Sequence, residues 1–191
     1  MPQETQLERD IRWITNGIDS CINNGAFISV ITLMLLTIDG LSGYYTGSLK
    51  DHYRSSQSEF INFVTKYFIQ FNANSKDANG NYLLKKMKRY REPQQSLDTL
   101  NYYEILYTQY RCGLAHNLLM KAPNAIYRGR NNPYFYSTRG FKIVINVELF
   151  YDDFVNALKN YKNDVITNTN RLKYNYRKRF KFMTGKYPAG V

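Results

Sequence analysis

Ser96-Leu-Asp-Thr-Leu-Asn-Tyr-Tyr-Glu-Ile-Leu-Tyr-Thr-Gln-Tyr-Arg-Cys-Gly-Leu-Ala-His-Asn117 is the stretch whose reading decides the fold. Leu97, Leu100, Tyr103, Leu106, Tyr107 and Tyr110 recur every three or four residues, the period of a helix with one apolar face. Ser96 is a good N-cap, with Thr99 where a capping box would place Glu. The helix runs into Arg-Cys-Gly-Leu-Ala-His, where Gly113 lowers helix propensity. An apolar helix of this kind needs partners, and the flanking sequence supplies them.

Toward the N-terminus, Leu7, Ile11, Ile14, Ile18 and Ile22 mark an amphipathic helix over 4–22, stopped by Asn23-Asn-Gly25. Residues 26–42 form a second helix that is apolar on most sides and therefore central. At 13 residues, the run Ala26–Ile38 falls short of the roughly 20 a bilayer span requires, so it reads as a core helix. A third helix is expected from Ser56 to Gln70, with Phe60, Phe63, Val64, Tyr67 and Phe68 on its inner face, followed by a polar break through Gly80. Residues 81–91 read as a short basic helix ended by Glu92-Pro93. Residues 117–133 read as a long loop. Tyr134–Thr138 and Phe141–Val147, joined through Arg139-Gly140, read as a small β-hairpin. One last helix is expected from Glu148 to about Arg179. The fold class is mainly α: a single domain over 1–191, with a basic C-terminal extension from about 171.

Composition narrows the function classes. The chain has 191 residues, 43% of them hydrophobic and 21% charged, with 18 Tyr and 11 Phe. This is ordinary globular composition with a high aromatic share, and the length allows a sizeable core. Two cysteines, Cys21 and Cys112, give neither a disulfide framework nor a zinc-ligand spacing, and free thiols fit a reducing, cytoplasmic setting. The polar, acidic N-terminus is wrong for a secretory signal, and no membrane partner is expected. Glycine-rich phosphate loops and nucleophile elbows are absent. No acidic or His/Cys ligand cluster suggests a metal, and no cofactor is expected. Asp152-Asp153 reads as serving a helix dipole.

The net charge is +11, and seven of those charges lie from Arg171 onward with no acid among them, leaving +4 for the rest. Arg171, Lys173, Arg177, Lys178, Arg179, Lys181 and Lys186 alternate with Tyr174, Tyr176, Phe180, Phe182 and Tyr187. Such a segment suits phosphates and stacked bases. It also suits a plain helix end, whose cations favour the negative C-terminal pole. Lys121, Arg128 and Arg130 in the preceding loop are further cations for a polyanion.

The concentrated chemical signal is Arg111 with His116. Five residues apart, they are rotated by about 140° on an unbroken helix. Either the helix ends near Gly113 and His116 curls back, or the two serve different surfaces, or a second copy completes the site. A histidine can deprotonate a ribose 2′-hydroxyl and an arginine can grip phosphate oxygens, without a metal. The structural alternative pairs Arg111 with Glu104 or Asp39 and leaves His116 at a helix C-terminus.

Leu106-Tyr-Thr-Gln-Tyr-Arg-Cys-Gly-Leu-Ala-His-Asn117 resembles the R-x(4–6)-H segment of the HEPN superfamily (higher eukaryote and prokaryote nucleotide-binding domains), and Thr37-Ile-Asp-Gly-Leu41 resembles the inner helix of bacterial members. The resemblance implies an all-α bundle and a metal-independent endoribonuclease, of the kind that serves as a toxin or antiviral effector. It also implies a homodimer whose two motifs face one cleft, and an antitoxin or regulatory partner. By position, Arg111 and His116 match the motif. Cys112 departs from the polar residue many members carry there, and Asn117 would supply the missing polar group. The competing expectation is a non-catalytic helical module that dimerises and binds nucleic acid through its basic tail.

Overall fold

The computed structural model describes residues 4–49, 56–88, 97–117, 125–138, 142–167 and 171–190. It is mainly helical, with two small sheets. Helix α1 (Gln6–Asn23) starts at a capping box in which Thr5 accepts from the Glu8 N–H and Glu8 accepts from Thr5, satisfying two otherwise orphaned donors. Helix α2 (Phe27–Thr46) ends at Gly47, whose φ of 69° is readily open only to glycine. Of the described helices, α2 is the one long and apolar enough to cross a membrane, at mean hydropathy 1.6. Half of that span is nevertheless buried within the fold. Val30, Ile31, Met34, Leu35 and Ile38 form its inner face, packed by α1, α3 and α8.

The third helix is shorter than its apolar stripe implies. Helix α3 (Gln57–Tyr67) begins at a Ser56/Glu59 capping box and stops at Phe68, and α4 (Ile69–Asn74) starts afresh. The break is held from outside. Asp153 accepts the backbone N–H groups of Gln70 (3.2 Å) and Phe71 (2.8 Å), the donors that a new helix start leaves unpaired. Asp153 thus caps a neighbouring helix, a role its own sequence position does not announce.

Two expectations near the centre are corrected. The basic helix over 81–91 is instead strand β1 (Leu84–Lys88), paired antiparallel with β2 (Leu97–Asn101), Leu84 facing Asn101 and Lys88 facing Leu97. The long helix begins at Tyr102 rather than after Ser96. Its cap is Asn101, which accepts from the Glu104 N–H while Glu104 accepts from Asn101. The helix then runs as α5 (Tyr102–Ile105), a π-helical turn (Leu106–Arg111) and α6 (Cys112–Asn117). It therefore does not end at Gly113.

The expected hairpin is present as β4 (Phe135–Thr138) against β5 (Lys142–Asn146); its Arg139-Gly140 turn lies outside the described residues. The stretch taken as loop contributes a third strand, β3 (Ala125–Tyr127), parallel to β5. The single long C-terminal helix is two: α7 (Val147–Thr167) and α8 (Arg171–Thr184). The intervening Asn168-Thr-Asn170 is poor helix sequence and lies outside the described residues.

Around α2 the core is strongly aromatic. Phe60, Phe63, Phe68, Phe71, Phe150, Phe154 and Tyr161 are fully buried, and several meet edge to face. Each such ring contributes about 1.5–3 kcal/mol by leaving water.

Candidate functional site: a basic aromatic groove and the buried Arg111

Helix α8 has two faces. On the inner one, Tyr176 is buried against Tyr44, the Asn175 amide donates to the Tyr45 carbonyl (2.9 Å), and the Arg179 guanidinium donates to the Ser48 carbonyl. These contacts satisfy carbonyls at and just beyond the C-terminal end of α2, where cations and donors are favoured. Gly43 and Gly47 make the approach possible. A Cβ on Gly43 would lie 2.8 Å from Arg179, and one on Gly47 2.6 Å from the Asn175 carboxamide oxygen. Arg179, expected among the RNA contacts, is thus turned to the interior.

On the outer face, spacings of four residues align Lys173, Arg177 and Lys181 in one row and Tyr174, Lys178 and Phe182 in the next. Together with Leu49 and Tyr187 they line an open groove of about 830 Å³ with no acid among its described lining residues. Tyr187 returns from the chain end and lies under two cations, Lys181 at 4.5 Å and Arg177 at 5.5 Å from its ring centre. The Lys181 ammonium donates to the Tyr187 oxygen (3.1 Å), which lowers that phenol's pKa. Lys178 lies 6.0 Å from the Tyr174 ring centre. Tyr174 and Tyr187 remain 60% and 59% exposed. Four flexible cations beside three open aromatic rings can neutralise phosphates and stack on bases.

The structure brings Lys173, Arg177 and Lys178 together, and with them Lys181, Tyr174, Phe182 and Tyr187 of the same basic, aromatic segment. Leu49 could not be found from sequence, because nothing local announces that the end of α2 meets α8. Arg171 is exposed but does not line the groove. Arg128 pairs with Glu148 (3.5 Å) and lies 4.2 Å from the Phe27 ring centre. Arg130 forms a two-pronged pair with Asp152. Both keep exposed guanidinium groups, already engaged by carboxylates. Lys121 lies outside the described residues.

Arg111 is placed quite differently. It is 3% exposed, and its guanidinium donates to the Asp39 carboxylate of α2, one of the two partners the structural alternative named. It also contacts Cys112 Sγ (3.7 Å) and sits 5.2 Å from the Tyr107 ring centre. Burial pulls its pKa down, but the hydrogen bond and charge of Asp39 more than offset this, so it stays fully cationic. The π-helical turn ends at Arg111, and the Arg111 Nε is buried without a partner. His116 and Asn117 lie in α6 by their backbone; their side chains are outside the described residues. Among the described residues no group of three His, Cys, Asp or Glu is placed to hold a metal ion. No family model, no curated protein and no solved structure matches this chain.

Proposed function

We propose that this chain is an RNA-binding helical module whose binding surface is the outer face of α8. The observation that carries this reading is the groove in which Lys173, Arg177, Lys178 and Lys181 stand beside Tyr174, Phe182 and Tyr187 with no acid among them. Cations alone would mark any basic surface, but open rings interleaved with them suit unpaired bases. The inner face of α8 belongs to the core, so the test is point substitution rather than removal of the tail. Fluorescence anisotropy with a labelled single-stranded oligonucleotide is expected to show binding that weakens with salt. For four phosphates neutralised, the slope of log K against log salt is about −2.8. Lys173→Ala with Arg177→Ala and Lys178→Ala removes most of the affinity and flattens that slope to roughly a quarter. Unchanged affinity in a folded triple variant refutes the proposal.

A second reading is the metal-independent HEPN-type endoribonuclease, active as a homodimer, with Arg111 and His116 as its site. One observation favours it beyond the sequence resemblance: the π-helical turn ends at Arg111, and such turns recur at functional sites. Against it stands the burial of Arg111, whose pair with Asp39 must open before the guanidinium reaches a phosphate. Cleavage of RNA in the presence of chelator, lost in His116→Ala, supports this reading; equal behaviour of wild type and His116→Ala removes it.

A further inference from the structure

Helix α8 ends in a reversal that carries the chain back along its own groove. Gly185, at φ 73°, takes the left-handed conformation that commonly closes a helix, and its N–H donates to the Lys181 carbonyl (2.8 Å). The Thr184 hydroxyl donates to the Phe180 carbonyl and accepts from the Lys186 N–H, which fixes the turn. The next residue is Tyr187, placed beside Lys181 and Arg177 of the helix just left.

Beyond Tyr187 the segment is anchored to a different part of the fold. Pro188 is buried, although the residues on either side of it are exposed. The Ala189 carbonyl accepts the Gln6 N–H (2.9 Å), one of the donors that the first turn of α1 leaves without a helical partner. Gly190, at φ 72°, lies against Thr5, the N-cap of α1. A Cβ on Gly190 would stand 3.2 Å from Thr5 Cγ2 and 3.3 Å from Thr5 Cα. Residues 185–190 thus form a strap held by α8 at one end and by the start of α1 at the other. Tyr187 sits between the two anchors with its ring still largely open to solvent.

The cations of α8 respond to phosphate charge and do not distinguish a base-bearing strand from any other polyanion. An aromatic ring does, because a base can stack on it. A tyrosine on an unanchored segment must be ordered each time a base stacks, and that lost freedom is subtracted from binding. Anchoring the segment at both ends removes the cost before the ligand arrives. We propose that the strap positions Tyr187 as a preformed stacking platform, so that the groove selects RNA strands with accessible bases over other polyanions. Tyr187 touches the base; Pro188, Ala189 and Gly190 are positioning residues that act through it. The role of the strap rests on the α8 groove binding RNA, and the two can fail separately.

The test measures binding of labelled oligouridylate, and of an abasic strand of equal length, to the full chain. Tyr187→Ala is expected to weaken oligouridylate about tenfold, the loss of one stacked base, and to leave the abasic strand and the salt slope unchanged. Tyr187→Phe retains the wild-type preference for the base-bearing strand. Gly190→Val strains the latch through its left-handed backbone and its contact with Thr5, and so frees the Gln6 amide to hydrogen exchange. It brings oligouridylate down toward the level of Tyr187→Ala while helical circular dichroism is retained. Added to Tyr187→Ala, Gly190→Val has no further effect on affinity, because it acts only through the ring. Three results overturn the strap's role and leave RNA binding by the groove intact: a Gln6 amide still protected in Gly190→Val, a freed Gln6 amide with wild-type affinity for oligouridylate, or equal weakening of both strands. A wild type that binds neither strand refutes RNA binding by the groove and the strap's role with it.

Discussion

Asp39→Ala is the perturbation that bears hardest on how this fold is held. Asp39 and Arg111 are both nearly inaccessible to water, on α2 and at the end of the π-helical turn. Removing the carboxylate leaves a permanent cation in the interior, because arginine does not deprotonate at accessible pH. Breaking one side of such a pair costs about 3–5 kcal/mol. In a chain of this length each kcal/mol moves the melting temperature by about 2–4 °C, so Asp39→Ala lowers it by roughly 6–20 °C. Arg111→Met removes the cation that faces the buried Asp39 carboxylate and lowers stability as well. The double variant Asp39→Leu with Arg111→Met removes both charges together and recovers most of the loss, because a buried pair is often no better than apolar residues of similar volume. Thermal melts followed by circular dichroism on wild type, Asp39→Leu, Arg111→Met and the double variant complete the cycle. Single losses below about 1 kcal/mol, the range of an exposed pair, would refute the assignment of this contact as a core element. A double variant as damaged as the sum of the singles would do so as well.

Other consequences follow from particular contacts. Gly47→Ala forces a left-handed backbone on a residue with a Cβ and drives that Cβ against Asn175; the combined loss is about 2–3 kcal/mol, read as a lower denaturant midpoint at unchanged slope. Asp153→Ala unpairs two N–H groups at the start of α4 and costs at least about 1–2 kcal/mol, with hydrogen exchange at Gln70 and Phe71 accelerating first. Burial opposes ionisation of Glu59, but hydrogen bonds from the Ser56 backbone and side chain outweigh it and hold its pKa below the ordinary 4.5. Its contribution is therefore present above about pH 4.5 and disappears as pH falls through the lowered folded value. Glu59→Gln flattens that acid limb of the stability curve, and an unchanged limb would count against the capping box. The homodimer of the second reading has exposed apolar residues to use in Trp13, Leu33 and Leu36; Trp13→Ser with Leu36→Ser then turns a dimer into a monomer by light scattering, and a wild-type monomer removes that part of the reading.

What could be read in the sequence was set by how local the deciding interaction is. The stripe of α1, the central apolar α2, the start of α3 at Ser56 and the β4–β5 hairpin are written in nearby residues, and they formed as read. The misreadings share a different cause. β1 and β2 are short strands that find one another across residues 89–96, and the lysines of Leu84-Lys-Lys-Met-Lys88 suit a helix as well as a strand until a partner is present. The Asn101/Glu104 capping box was visible in the sequence, but Ser96 offered an earlier and equally good start. The stop at Phe68 rests on Asp153, more than eighty residues away, and no local signal can report that. In the site, helical spacing accounts for the two rows on α8, while Leu49 and Tyr187 join the groove only through the tertiary fold. The inward turn of Arg179 needed Gly43 and Gly47, two small residues on another helix, and the pair of Arg111 with Asp39 was legible only as one of two candidates.

The division of α8 into two faces couples its two roles. The inner face holds the end of α2 through Asn175, Tyr176 and Arg179, while the outer face carries the groove, on a helix of 14 residues. A ligand on the outer face must therefore stabilise the docking of the whole helix, because the groove needs α8 in place and Leu49 beside it. Single-stranded RNA at a hundred times its dissociation constant would add about 2.7 kcal/mol to the folded state. That gain belongs to the docked helix, so it should slow hydrogen exchange along both faces of α8 and at the end of α2, and not in the β3-β5-β4 sheet. Protection spread evenly over the molecule, or confined to the outer lysines, would mean that RNA binds without engaging the groove as a unit.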